Sequence, residues 1–154
     1  MENSAKHFIF SNISINRLFL TAKFLSVPEV TVEEKTKLTE KATILWRYDG
    51  TGRIISEDNG KALAVKDLLE PNVEVAPSWH YDDNTSVISC VGYIGALTVA
   101  QALTKARNEN VPPFALTVVK DENDQHYLRL ESYDNNDPKA TQRFTVIVAP
   151  SSNI

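Results

Sequence analysis

Along the chain, short apolar runs alternate with polar positions, and turn residues separate one run from the next. Glu29-Val30-Thr31-Val32-Glu33 alternates with a period of two, the pattern of a strand with one face buried and one wet. The same reading, carried by Val, Ile, Thr and aromatic residues, predicts strands at His7–Asn12, Arg17–Lys23, Ala42–Tyr48, Gly52–Ser56, Ala62–Lys66 and Asn72–Ala76. It predicts further strands at Trp79–Asp82, Ser86–Val91, Ala96–Ala100, Phe114–Lys120, His126–Glu131 and Arg143–Ala149. Asp49-Gly50, Asp58-Asn59-Gly60, Pro71, Asp82-Asp83-Asn84, Pro112-Pro113 and Asn135-Asn136-Asp137-Pro138 punctuate them. Only Val99–Asn108, rich in Ala, Gln, Leu, Lys and Arg, reads as a short helix or a loop carrying a turn of helix. The expectation is an all-β chain of short strands, a sandwich or a barrel.

Internal repetition favours the barrel. Trp46-Arg47-Tyr48-Asp49 and Trp79-His80-Tyr81-Asp82 are two copies of one motif. Each is followed at the same offsets by an Ile-Ser pair (Ile54-Ile55-Ser56; Val87-Ile88-Ser89). An Ala-Leu-x-Val run comes next, at Ala62 and, with one residue inserted, at Ala96. A third copy is split between the ends. Phe10-Ser11 followed by Leu18-Phe19-Leu20 matches Ile55-Ser56 followed by Leu63-Ala64-Val65, and Lys139–Phe144 lies in phase with Lys41–Trp46. The chain then divides into units of about 7–50, 51–84 and 85–150 within a single domain spanning 1–154. The third unit is enlarged by the short helix and an extra hairpin, Phe114–Glu131. One such unit cannot bury its own apolar face, so the three must close on each other, each ending on Trp46, Trp79 or Phe144.

Composition narrows the function. The chain has 154 residues, 42% hydrophobic and 23% charged, with a formal net charge of −4. No basic face is present of the kind that phosphate neutralisation requires, so nucleic acid is not an expected partner. No run approaches the ~20 apolar residues of a membrane span, and none is expected to insert. The polar start, Met1 to Lys6, has no signal-peptide core, which points to a cytoplasmic product. The sequons at Asn12 and Asn84 then read as chance. Cys90 is the lone cysteine and lies in an apolar run, a structural thiol. His7, His80 and His126 are dispersed, no metal-ligand spacing or phosphate loop occurs, and no serine sits in a nucleophile elbow. No enzyme, metal or cofactor is expected.

The run Trp46-Arg47-Tyr48-Asp49-Gly50-Thr51-Gly52-Arg53-Ile54-Ile55, ending in Leu63-Ala64-Val65, resembles the repeats of ricin-B-type β-trefoils. The resemblance implies a β-trefoil, a six-stranded barrel closed at one end by three hairpins. It also implies binding, in one of two ways. In lectins of this type an Asp after the Leu-x-Val strand, an aromatic and a closing Gln-x-Trp hold the sugar. Here only Asp67 and a variant, Gln142-Arg143-Phe144, are kept, so a glycan partner would need a non-standard site.

The alternative is the mushroom protease-inhibitor trefoils, the mycocypin, mycospin and cocaprin group, which present loops from a disulfide-free barrel. By that resemblance the loop Ser56–Lys61, with Asp58, Asn59 and Gly60, would meet asparagine-specific cysteine proteases. Pro138 and Lys139 would meet trypsin-like serine proteases, and the loops Asn12–Asn16 and Lys35–Lys41 papain-like ones. Each candidate also has a plain reading. Asn-Gly is the favoured pair for a type I′ hairpin turn, and Lys139 reads equally as a solvated lysine. With the sugar chemistry incomplete, the expected function is protease inhibition (cysteine proteases, with serine and aspartic ones as further targets), ahead of carbohydrate binding.

Overall fold

The computed structural model describes residues 5–23, 29–37, 42–50, 52–57, 60–64, 69–70, 77–92 and 114–150. Among them the strands are β1 (Lys6–Ser11), β2 (Leu18–Lys23), β3 (Glu29–Glu34), β4 (Ala42–Thr43), β5 (Trp46–Tyr48), β6 (Ile54–Ser56) and β7 (Ala62–Leu63). They continue with β8 (Leu69–Glu70), β9 (Ser78–Asp82), β10 (Val87–Gly92), β11 (Phe114–Lys120), β12 (His126–Ser132) and β13 (Thr145–Val148). Short 3-10 turns occupy Lys35–Lys37 and Ala140–Gln142. The fold is all-β with antiparallel pairing, as the alternation predicts. The predicted strands at 72–76 and 96–100 and the predicted helix at 99–108 lie outside the described residues. No helix among the described residues is long and apolar enough to cross a membrane.

One sheet runs β3-β2-β1-β5-β6-β7-β8, with β13 also on β1 and β4 also on β2; the other runs β12-β11-β10-β9. The predicted strand 42–48 is two strands, because the chain changes partner midway. Thr43 pairs with Ala22 of β2, whereas Trp46 pairs with His7 of β1. The Leu45 N–H donates to Thr43 Oγ1 at 3.2 Å at this corner.

The strand registers place residues of the three units in corresponding positions. Trp46 faces Ser56 and Trp79 faces Cys90, while the β1–β13 register, run one step past Phe10–Thr145, sets Phe144 against Ser11. Tyr48 faces Ile54, Tyr81 faces Ile88 and Val146 faces Ile9. The main chain repeats the same step three times. Trp46 pairs with His7, the Trp79 N–H donates to Gly52 O at 2.7 Å, and the Phe144 N–H donates to Ser86 O at 2.8 Å. Gly52 and Ser86 both hold a positive φ there, 92° and 64°.

This corrects the sequence phasing. Cys90, not Ser89, stands where Ser56 stands, because the turn after Tyr81 spans 82–87 and the one after Tyr48 only 49–53. Leu20, not Leu18, corresponds to Leu63. Phe19 pairs with Phe10 as Ala62 pairs with Ile55, and the first loop is longer. By the same register Leu116 is the third member, since Ala115 pairs with Ser89. The hairpin β11–β12 is therefore the counterpart of β2–β3 and β7–β8 rather than an addition. The extra length of the third unit falls at 93–113, outside the described residues.

The corresponding positions build one core. Ile9, Ile54 and Ile88 are fully buried together with Trp46, Trp79 and Phe144, and Leu20, Leu63 and Leu116 join the same cluster. Tyr48, Tyr81 and Val146 pack against its edge. Each indole N–H keeps a partner on the way in: Trp46 Nε1 donates to Leu20 O at 2.9 Å and Trp79 Nε1 to Leu63 O at 3.1 Å. Burying a tryptophan is favourable only when that polar tip is satisfied. A second, outer cluster packs Phe8, Phe10, Phe19 and Ile44, with the Arg17 guanidinium 4.6 Å above the Phe10 ring.

Candidate functional site

The segment before β13 is tied down by hydrogen bonds within itself and to β11, β12 and the turn before β10. Asp134 starts it: its carboxylate accepts the Asn136 N–H at 2.9 Å and its carbonyl the Asp137 N–H at 3.1 Å, an Asx turn inside a β-turn. Pro138 follows and is buried. Lys139 leaves it in an extended conformation, φ −67° and ψ 154°, with an exposed side chain. The Lys139 N–H donates to Gln142 Oε1 at 3.2 Å, and the Lys139 carbonyl accepts the Gln142 N–H at 2.9 Å.

Gln142 is the anchor. It is fully buried, and its Nε2 donates to Ser132 O at 3.0 Å and to Thr117 Oγ1 at 3.3 Å. The Arg143 guanidinium then clamps both sides, donating to Pro138 O at 3.2 Å and to Thr85 O at 3.3 Å. The Gln142–Thr117 bond is buried, whereas the Asp134–Asn136 and Arg143–Thr85 bonds lie at the surface. Extended pairing with a partner strand needs free N–H and C=O groups, and Lys139 has both engaged within its own loop. What the loop offers outward is the Lys139 ammonium on its flexible stem.

The other predicted loop joins β6 to β7. The Ser56 N–H donates to Lys61 O at 2.8 Å and the Gly60 N–H to Ser56 O at 2.9 Å, with Gly60 at φ 70°. These bonds tie Ser56 to both Gly60 and Lys61 at the base of the loop, and the Glu57 N–H is held by Leu45 O at 3.0 Å. Asp58 and Asn59, where the type I′ turn is predicted, lie outside the described residues. By the registers, this loop holds in the second unit the place that the loop 12–17 holds in the first.

The loop 12–17 is the one that the structure brings beside Lys139. Asn12 Nδ2 donates to Thr145 Oγ1 at 3.2 Å. Asn12 and Ile13 on one side and Ala140, Arg143 and Thr145 on the other line a pocket of about 250 Å³, with Ser86 at its back. Ile13 is 38% exposed and Ile15 fully exposed. Sequence reasoning named this loop but found no motif in it. The available signal was the apolar alternation of Asn12-Ile13-Ser14-Ile15-Asn16 in a stretch otherwise made for turning.

Of the loop Lys35–Lys41, only Lys35–Lys37 is described, and Lys35 Nζ sits 5.9 Å from the Phe8 ring centroid. A second groove, of about 210 Å³, lies between Ser14, Glu33 and Glu34 on one side and Asp124, Gln125 and His126 on the other. His7 is buried and His80 half-buried, on other strands. Among the described residues no group of three His, Cys, Asp or Glu side chains is placed to hold a metal ion. No family model matches the chain, and no curated protein or solved structure matches it either.

Proposed function

We propose that the chain is a β-trefoil that works by binding, as a protease inhibitor with Lys139 as its principal contact. For the scaffold, the support is the cyclic order of six strands. Ladders join β1–β5, β5–β6, β9–β10 and β13–β1, and single backbone hydrogen bonds link the β6 and β9 segments and the β10 and β13 segments. The hairpins β2–β3, β7–β8 and β11–β12 stand outside that ring, one to each unit.

For the function, one observation carries the reading: an exposed lysine held extended behind a buried proline, its main chain locked by a buried glutamine. A loop already fixed in its docking conformation gives up little entropy on association. A long cationic side chain entering an acidic specificity pocket supplies charge-assisted hydrogen bonds. The hydrogen bonds at the Lys139 N–H and carbonyl hold the main chain around the Lys139–Ala140 bond in one geometry. Serine proteases of trypsin-like specificity are therefore the first target class. The Asn59 and papain-directed contacts stay secondary proposals that rest on the resemblance alone.

The test is titration of trypsin, papain, an asparaginyl endopeptidase and pepsin with the purified protein and its Lys139→Ala variant, beside a glycan array. Stoichiometric inhibition of trypsin, lost in Lys139→Ala with an unchanged Tm, is the expected result. Silence on all four enzymes together with a glycan signal that free sugar competes away would overturn it in favour of a lectin.

A further inference from the structure

We infer that the first loop and the Lys139 loop form one docking face, in which Ile15, seconded by Ile13, is a second anchor for the same protease that receives Lys139. The inference rests on the inhibitor reading above and extends it to residues with no role in the fold.

Ile15 is fully exposed at the tip of the loop 12–17, so its side chain contributes nothing to the core. Single exposed isoleucines are ordinary; this one has company. Ile13, two residues away, is partly exposed and lines the pocket whose opposite wall is Ala140, the residue after Lys139. A roughly spherical space of about 250 Å³ is about 8 Å across, whereas one side of a protease–inhibitor interface covers about 800 Å², a patch about 30 Å wide. A protease seated on Lys139 therefore covers the first loop as well.

The two loops are also fastened to each other. Asn12 Nδ2 bonds Thr145 Oγ1, and Arg143, which lines the same pocket, bridges Pro138 O to Thr85 O. The face thus offers a cation and an apolar knob on either side of a shallow pocket. The complementary partner carries an acidic specificity pocket with an apolar subsite beside it. A further consequence is exclusion: one partner occupies this face at a time.

Trypsin is the probe, and Ile15→Ser is the central variant, since it removes the apolar contact without adding charge. The expected result is an inhibition constant raised about tenfold, as for a buried aliphatic anchor, with Tm unchanged. Ile13→Ser should give a smaller rise. If Ile15→Ser and Ile13→Ser both inhibit as the parent does while Lys139→Ala does not, the docking face ends at Lys139 and the inference is wrong, although the inhibitor reading stands. If the parent protein itself leaves trypsin untouched, Lys139 is no trypsin contact and this face falls, whatever the other three proteases show.

Discussion

Tyr48 and Tyr81 occupy corresponding places after Trp46 and Trp79, but their hydroxyls meet different surroundings. Tyr81 Oη donates to Phe144 O at 2.9 Å, a bond between residues 63 apart in sequence. Tyr48 lies beside Asp49, and its phenol is pushed up to about 12, first by burial and then by the Asp49 carboxylate. In the unfolded chain Tyr48 ionises near the ordinary tyrosine value of 10.0, so between about pH 10 and pH 12 the unfolded state has lost a proton that the folded state keeps. Stability is indifferent to this group below pH 10 and falls as pH rises through that window. Urea midpoints at pH 9 and pH 11 should show a smaller drop in Tyr48→Phe than in the parent; equal drops would place the alkaline sensitivity elsewhere. The repeated Trp-x-Tyr-Asp motif was legible in the sequence. Which tyrosine would find a carbonyl was not, because that carbonyl arrives with a strand from the far end of the chain.

Among the elements, strand positions were readable because alternation is local, and the partner changes were not. Nothing in Ala42–Tyr48 marks the corner at Ile44-Leu45, which exists because β2 and β1 each claim one half. Phasing failed at the turns for a related reason. A turn absorbs one or two extra residues without disturbing the apolar pattern on either side, so identical offsets misaligned Ser89 with Ser56 and Leu18 with Leu63.

The Lys139 segment was legible as a loop ending on Gln142-Arg143-Phe144. Its rigidity was hidden, since the groups that hold Gln142 belong to β11 and β12. That rigidity is measurable. Gln142→Leu keeps the volume but strips the Lys139 N–H and the Ser132 carbonyl of their buried partner, a loss of about 2 kcal/mol. Hydrogen exchange at the Lys139 amide should accelerate beyond what the global loss explains. An unchanged protection factor at Lys139 would mean that the loop is held by Arg143 and Pro138 without the glutamine.

At the scale of the whole molecule, the three units share one core rather than owning three. The main buried cluster takes Ile9 and Leu20 from the first unit, Ile54 and Leu63 from the second and Ile88, Leu116 and Phe144 from the third. Removing any unit would leave the apolar faces of the other two open, unlike a linear repeat array in which each repeat meets only its neighbours. The two tryptophans make this testable, because each reports on a different unit. Trp46 is bonded to the first hairpin through Leu20 and Trp79 to the second through Leu63. Trp79→Phe leaves Trp46 as the sole tryptophan, and Trp46→Phe leaves Trp79. Each variant gives up an indole hydrogen bond and some volume, and should lose about 1–3 kcal/mol. Within each variant, the fluorescence midpoint in urea should coincide with the far-ultraviolet circular dichroism midpoint, and the slope m should match that of the parent. A fluorescence transition that precedes the loss of strand signal in either variant would mean that one unit opens alone. A surface loop mounted on such a unit would lose its fixed geometry, the Lys139 loop included, since it is anchored to β11, β12 and the turn before β10.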